Sequence, residues 1–387
     1  MAIGSNGARM RAYNRLVVLE ALRLHGPLSR PEIGRRAALS VQTVTNIASE
    51  LLREGLLSEC GSMPSGRGAP PHLLALNPRG GCTVGAEIAR GELRTVLVDL
   101  GGKVLGTHAS RLAEPTPARV LPQLRQDVAT LLRQPTARRR RRPLGIGVVM
   151  PGPFDAARPR SLGPTELTGW GDIDAATAVE SALGLPTLIG NDATAAVVGE
   201  LLYGAARGLR DICLLHIGAG LGLGIVQDGR PVRGASGNAG EIGHVVAVSG
   251  GRRCFCGRAG CLERYLSLDS LGEALGLPAG PRRETGTSAA TLLARLDRGD
   301  ARIEAWIEEA APLLGWALDM LAAVFDPQAI LIGGAAPPAI VGRLIEAMRA
   351  HSGGTMRPKL MQTATGTMTP ALGAACLPLQ AATMPRI

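Results

Sequence analysis

The sequence predicts an α/β chain in two parts, a small helical module with a hairpin over residues 1–80 and a larger strand-and-helix domain over residues 81–387. Three observations lead there. Three short helical patterns, separated by turn residues, fill the N-terminal stretch. From Thr83 the apolar pattern changes to the period of strands. Strands then alternate with helical segments, the order of sheets covered by helices. At 387 residues the chain also exceeds one ordinary core, so each part has length enough to bury its own apolar interior.

The first helix is expected from about Arg11 to Leu24, because Leu16, Leu19 and Leu22 recur at helical spacing and His25-Gly26-Pro27 stops it. The second opens on Ser29-Arg30-Pro31-Glu32, a capping box that takes up orphan N–H groups, and ends near Ala38. The third starts from Ser40 as N-cap and ends near Glu54, with Val44, Ile47, Ala48 and Leu51 on its inner face and Gly55 as terminator. Leu56-Leu57 and Leu73-Leu74-Ala75-Leu76 follow as two strands around the slender tip Ser65-Gly66-Arg67-Gly68-Ala69-Pro70-Pro71. Two helices joined by a tight turn, with a hairpin behind them, form the plan of a winged helix-turn-helix.

The outer face of the third helix carries Ser40 at its cap, then Gln42, Thr43, Thr45, Asn46 and Ser49. Such short polar groups can exchange hydrogen bonds with base edges in a major groove, whereas a merely solvated helix usually carries Glu and Lys. Arg67, between two glycines, suits a narrow minor groove or a phosphate. Residues 1–80 hold ten Arg and no Lys against five Glu and no Asp, a net +5, which is half of the chain's formal +10. Double-stranded DNA is therefore the expected partner. Aromatic residues make up 2 %, too few for stacking platforms that bind single strands. No apolar run approaches the roughly 20 residues that span a bilayer, and the N-terminus lacks a signal-peptide stretch, so no membrane partner is expected and the location is cytoplasmic.

Strands are expected at Thr83–Ile88, Leu93–Leu100, Lys103–Thr107, Leu144–Met150, Thr187–Ile189, Asp211–Ile217, Gly222–Val226 and Ala329–Ile332, with helices at Ala193–Tyr203 and Arg302–Phe325. The arginine run between Ala137 and Pro143 reads as a solvated loop and not as a second DNA site. Of seven cysteines, Cys254, Cys256 and Cys261 cluster, and His244 stands ten residues before the first of them. Four borderline-soft ligands suit tetrahedral zinc, and a site with all four positions filled by protein is structural, not hydrolytic.

The motifs Gly240-Glu241-Ile242-Gly243-His244, C-x-C-G-x-x-G-C-x-E from Cys254 to Glu263, and Asn191-Asp192-Ala193 resemble the ROK family (repressors, open reading frames and kinases), over nearly the whole chain. The resemblance implies two actin-like, ribonuclease-H-like subdomains with a sugar cleft between them, and homodimers or homotetramers. It further implies that Asn191, Asp192, Glu241, His244 and Glu263 bind a sugar-type effector. Carboxylates and an amide suit a hydroxyl-rich ligand. His244 then holds zinc through one ring nitrogen and offers the other to the sugar.

In the kinases of the family, the counterpart of Asp192 is the general base. Their first phosphate loop reads Asp-x-Gly-Gly-Thr, where this chain has Glu87-Ile88-Ala89-Arg90-Gly91. The second stretch, Gly218 to Gly224, has Ala219 in place of a Thr and Leu223 in place of a Gly. Backbone N–H groups lose their close approach to phosphate when such glycines go. No catalytic residue is therefore assigned. The expectation is a DNA-binding regulator, a repressor by default, and the alternative is an ATP-dependent sugar kinase with an accessory DNA-binding domain. In Glu166-Leu167-Thr168-Gly169-Trp170 a Glu replaces the Asn of the family's sugar loop, which points to a sugar other than glucose or its N-acetylated relative.

Overall fold

The computed structural model describes residues 7–62, 72–138, 143–152, 167–277, 289–351 and 358–378. Arg67 at the expected wing tip, the arginines from 139 to 142, and Glu166 lie outside these residues.

The N-terminal module contains α1 (Gly7–His25), β1 (Leu28–Ser29), α2 (Arg30–Ala37), α3 (Val41–Arg53), β2 (Leu57–Ser62) and β3 (His72–Leu76). Val18, Leu22, Ile33, Val44, Ile47, Leu51, Leu57 and Leu74 form its core. Helix α1 begins one turn earlier than its apolar period suggests, and just past that turn Arg11 pairs with Glu50 of α3. At the start of α2 the Ser29 backbone N–H donates to the Glu32 carboxylate at 2.9 Å, and the Ser29 hydroxyl does so at 2.8 Å. Ala38, at φ 53°, makes the sharp turn into α3. The hairpin is a three-stranded sheet, order β1-β3-β2, because Leu28 and Ser29 pair with Leu74 and Leu73.

The larger part is built on two sheets of one plan. The first uses β4 (Cys82–Ala89), β5 (Glu92–Asp99), β6 (Val104–Arg111), β7 (Pro143–Met150) and β8 (Thr187–Asn191), with α4 (Pro117–Arg133), α5 (Pro135–Arg138) and α6 (Ala175–Leu183) between strands. Next comes α7 (Asp192–Tyr203). The second sheet uses β9 (Ile212–Ile217), β10 (Leu221–Gln227), β11 (Arg230–Pro231), then α8 (Glu263–Leu266), α9 (Leu268–Ala274), α10 (Ala289–Asp297), α11 (Ala301–Phe325), β12 (Ala329–Gly334), α12 (Pro338–His351), β13 (Lys359–Gln362) and finally α13 (Thr369–Ala374). Strand orders are β6-β5-β4-β7-β8 and β11-β10-β9-β12-β13. In each sheet three strands meander antiparallel and two join in parallel, as helical crossovers require. Strand β6 runs on past Thr107 to Arg111, where it still pairs with Glu92 of β5.

Small residues let helices lie directly on the sheets between the two lobes. A Cβ at Gly85 would meet Ala371 O at 1.9 Å, and one at Gly147 would meet Ala374 O at 1.9 Å, so α13 rests on β4 and β7. A Cβ at Gly224 would stand 2.3 Å from Ala193 O, which seats α7 on β10 in the same way. The two helices touch each other at Gly373, whose Cβ would fall 1.7 Å from Ala195 O. The lobes are thus joined through two tightly packed helices and not through a broad sheet-to-sheet face.

Candidate ligand cleft, metal centre and DNA-reading helix

Asn191 ends β8 and caps α7, its Oδ1 accepting the Thr194 N–H at 3.0 Å, so its amide NH₂ remains for a ligand. Asp192 is the first residue of α7 and accepts the Ala193 N–H at 2.7 Å. Opposite them, Glu241 and His244 bracket a single 3₁₀ turn that lies on the start of β10, where a Cβ at Gly243 would be 2.4 Å from Leu221 O. Glu263 opens α8 and accepts the Leu221 N–H at 3.1 Å. The first lobe and the second therefore each supply part of one acidic group. Burial pushes Asp192 up to about 6. Burial, and then the charges of Asp192 and Glu263, push Glu241 up to about 7. Burial also raises Glu263, against the Leu221 N–H and the His244 ring. Carboxylates so placed are short of donors, and the hydroxyls of a polyol supply donors.

Trp170, from the stretch next to Glu166, is wholly buried and donates its Nε1–H to Pro115 O at 2.7 Å. It is a pillar of the first lobe and not a platform for a sugar ring.

The ligand atoms of His244, Cys254, Cys256 and Cys261 all lie within 4.8 Å of one another, and this group could hold a metal ion. Cys254 Sγ is 3.6 Å from His244 Nδ1, and the Cys256 and Cys261 sulfurs are 3.5 Å apart. Tetrahedral zinc holds such atoms about 3.5–3.8 Å apart, so the spacing fits. The turn that presents them closes with the Gly257 N–H on Cys254 O at 3.1 Å, at a glycine φ of 88°. Burial pushes the Cys261 thiol up to about 12. Three adjacent sulfurs can become thiolates together only beside a cation. With Nδ1 turned to Cys254, the His244 Nε2 is the nitrogen left for a hydrogen bond elsewhere.

The two stretches that resemble phosphate loops are both tied to the start of α9. In the turn between β4 and β5, Arg90 Nη1 reaches Asp269 Oδ2 of α9 at 2.7 Å, a bridge between residues 179 apart. The first N–H groups of α9 go to the second stretch, Leu268 to Gly218 O at 2.9 Å and Asp269 to Ala219 O at 3.3 Å. Glu87 is buried, held by Arg94 at 3.0 Å and facing His216; burial raises its carboxyl despite both. Gly222 and Gly224 lie in β10, where the close approach of α7 accounts for them.

On α3 the Ser40 side chain accepts the Thr43 N–H at 3.1 Å and its hydroxyl lies 2.8 Å from that of Thr43. Gln42 donates to Asn46 at 3.2 Å, so the two amides stand side by side on the exposed surface. Thr45 spends its hydroxyl hydrogen on Val41 O at 2.8 Å and keeps only acceptor capacity. Two features escaped the sequence reading. Val41 at the helix start is 51 % exposed, an apolar group suited to a thymine methyl. Arg35 and Arg36, exposed at the end of α2, have no ion pair among the described residues, whereas Arg11 and Arg15 are engaged by Glu50 and Glu54. Residue type alone does not tell a free arginine from a paired one.

Residues 83–380 match the sequence profile of the ROK family. The chain is 26 % identical over 327 residues to the xylose repressor of Bacillus spizizenii, covering 84 % of this chain and 82 % of that protein. The crystal structure of a ROK family transcriptional regulator, a homolog of the E. coli MLC protein, matches with a TM-score of 0.73 at 26 % identity over 97 % of this chain and 98 % of its own. A ROK family glucokinase from Streptomyces griseus, in complex with glucose and AMPPNP, matches with a TM-score of 0.63 at 26 % identity, covering 77 % of this chain and 99 % of its own.

Proposed function

The chain belongs to the ROK family, and from that premise we infer that it is a sequence-specific DNA-binding transcriptional regulator, a repressor by default, controlled by a sugar-type effector. One observation carries this reading. The regulator structure covers 97 % of the chain, N-terminal module included, while the glucokinase covers 77 %. Residues 1–80 read a DNA operator through Gln42, Thr43, Thr45 and Asn46, with Ser40 fixing the helix start and Arg67 reaching from the wing; Arg35 and Arg36 meet phosphate. Residues 81–387 bind the effector, and Asn191, Asp192, Glu241, His244 and Glu263 meet its hydroxyls. The Cys/His group holds a structural zinc, which keeps His244 and the start of α8 in place. Trp316, 42 % exposed, and Val324, 67 % exposed, leave apolar surface on α11 that supports pairing into a homodimer or homotetramer. Paired readers meet half-sites about one DNA turn, or a multiple, apart. A DNA target places the work in the cytoplasm.

A ligand that binds both arrangements of the lobes equally shifts nothing, so the effector must prefer one. Hydroxyls bridging Asp192 of the first lobe's edge and Glu241 of the second supply that preference.

The second reading is a sugar kinase, favoured by Asp192, whose carboxyl at about 6 would serve as a base near neutrality. The bridge from Arg90 to Asp269 and the buried Glu87 argue against a nucleotide in the cleft. A coupled ADP-release assay with xylose, glucose and N-acetylglucosamine, run beside selection of genomic fragments on immobilised protein, separates the two. The expected result is selected fragments and no ATP turnover. Turnover abolished by Asp192→Asn, with no fragment enriched, supports the kinase instead.

A further inference from the structure

We propose that α7 links the sugar cleft to the DNA reader, and that it delivers its motion at the joint where Tyr203 of the sensor and Arg23 of α1 line one cavity. The inference rests on the regulator reading and adds a route to it.

One end of α7 is the cleft. Asn191 caps the helix and Asp192 opens it, so a ligand that draws on these two side chains pulls directly on the first turn. The helix is 12 residues long, about 18 Å. It has little room to bend: Ala193 and Ala195 sit against Gly224 and Gly373 with no space for a Cβ, and Gly199 meets Thr369 O in the same manner. Near the far end the buried Glu200 carboxylate takes the N–H groups of Ala205 at 2.8 Å and of Ala364 and Thr365 at 3.0 Å, and the Thr365 hydroxyl at 2.6 Å. Such packing and bonding make α7 move as one body.

The other end is the joint with the reader. Tyr203 lies against Gly102, where a Cβ would be 2.9 Å from its ring, and its hydroxyl stands 3.4 Å from Cys376 Sγ. Arg23, on the last turn of α1, lines the same cavity as Tyr203. Glu20 takes its Nε and Nη2, and its buried Nη1 has no hydrogen-bond partner among the described residues. That cavity, of about 970 Å³, is also lined by Leu22 and His25 of α1, Leu76 of β3, and Leu100, Leu202 and Leu372 of the sensor. The reader is therefore not packed broadly onto the sensor. A joint with much empty space and one under-satisfied buried cation is poised between arrangements, and a small displacement of Tyr203 has leverage over the angle of α1.

The test uses the full-length protein with Arg23→Gln and, separately, Tyr203→Leu. Operator affinity is followed by fluorescence anisotropy with and without xylose, glucose or N-acetylglucosamine, and sugar affinity by calorimetry. Both variants should bind the active sugar within about twofold of the unsubstituted protein while losing at least about fivefold of its effect on operator affinity. A sugar effect that survives both substitutions overturns the link and leaves the regulator reading standing. A protein that selects no genomic fragment over random duplex overturns the regulator reading itself, which separates that failure from the failure of the link. Arg23→Gln alone decides the matter if Tyr203→Leu does not fold, because Arg23 lies outside the sensor's core.

Discussion

Replacing Cys261 by serine is expected to lower the melting temperature by roughly 5–10 °C and to weaken sugar binding by at least about tenfold. The thiol is wholly buried, and its backbone bridges to Val246 two residues past His244. A hydroxyl is a poor zinc ligand, so the variant loses the closed four-ligand set, and with it the tie between the turn at His244 and the start of α8. Glu263 follows Cys261 by two residues and His244 belongs to the group that could hold the metal, so two cleft groups would lose their positions together. Metal content by plasma mass spectrometry, a melting curve and sugar calorimetry check this. A metal-free variant with unchanged melting and unchanged sugar affinity contradicts the structural role given to the ion.

Gln42→Ala combined with Asn46→Ala is expected to remove specific DNA binding while leaving the fold intact. A good bidentate amide contact to a base is worth about 1–3 kcal/mol, so operator affinity should fall at least about tenfold, and about thirtyfold or more if both contacts count in full. The two losses will not simply add, because the side chains bond to each other on the free helix. Both amides are exposed and neither supports the core of the module, so the melting curve should not move by more than a degree or two. Binding to random duplex, set by arginine and phosphate, should persist. An operator titration unchanged from the unsubstituted protein contradicts α3 as the reading element.

Much of this was legible in the sequence, for local reasons. The caps at Ser29 and Ser40, the inner face of α3 and the Cys/His group from His244 to Cys261 are each set by residues close in the chain. The family motifs also gave the plan of two lobes. The common topology of the two sheets could not be read directly, because it is a pattern of hydrogen bonds between distant strands and no internal repeat in side chains marks it. Short edge strands such as β11 and β13, of two and four residues, carry too little pattern to be seen. Helix α13, rich in Gly and Ala, has no amphipathic stripe because it is buried between the lobes on several sides. Nor could the sequence pair Arg90 with Asp269 or place Arg23 and Tyr203 on one cavity, since each joins residues far apart in the chain. The glycines of β10 invited a reading in terms of phosphate, and their spatial reason is the seat of α7.

The central claim is that a sugar in the cleft changes how the reader fits DNA, and reciprocal binding tests it most directly. Operator affinity is measured with and without saturating sugar, and sugar affinity with and without saturating operator, at one salt concentration. The expected result is a shift of at least about tenfold in the first, matched by the same factor in the second, because coupling between two sites is mutual. A sugar that binds the protein tightly and leaves operator affinity unchanged contradicts the claim.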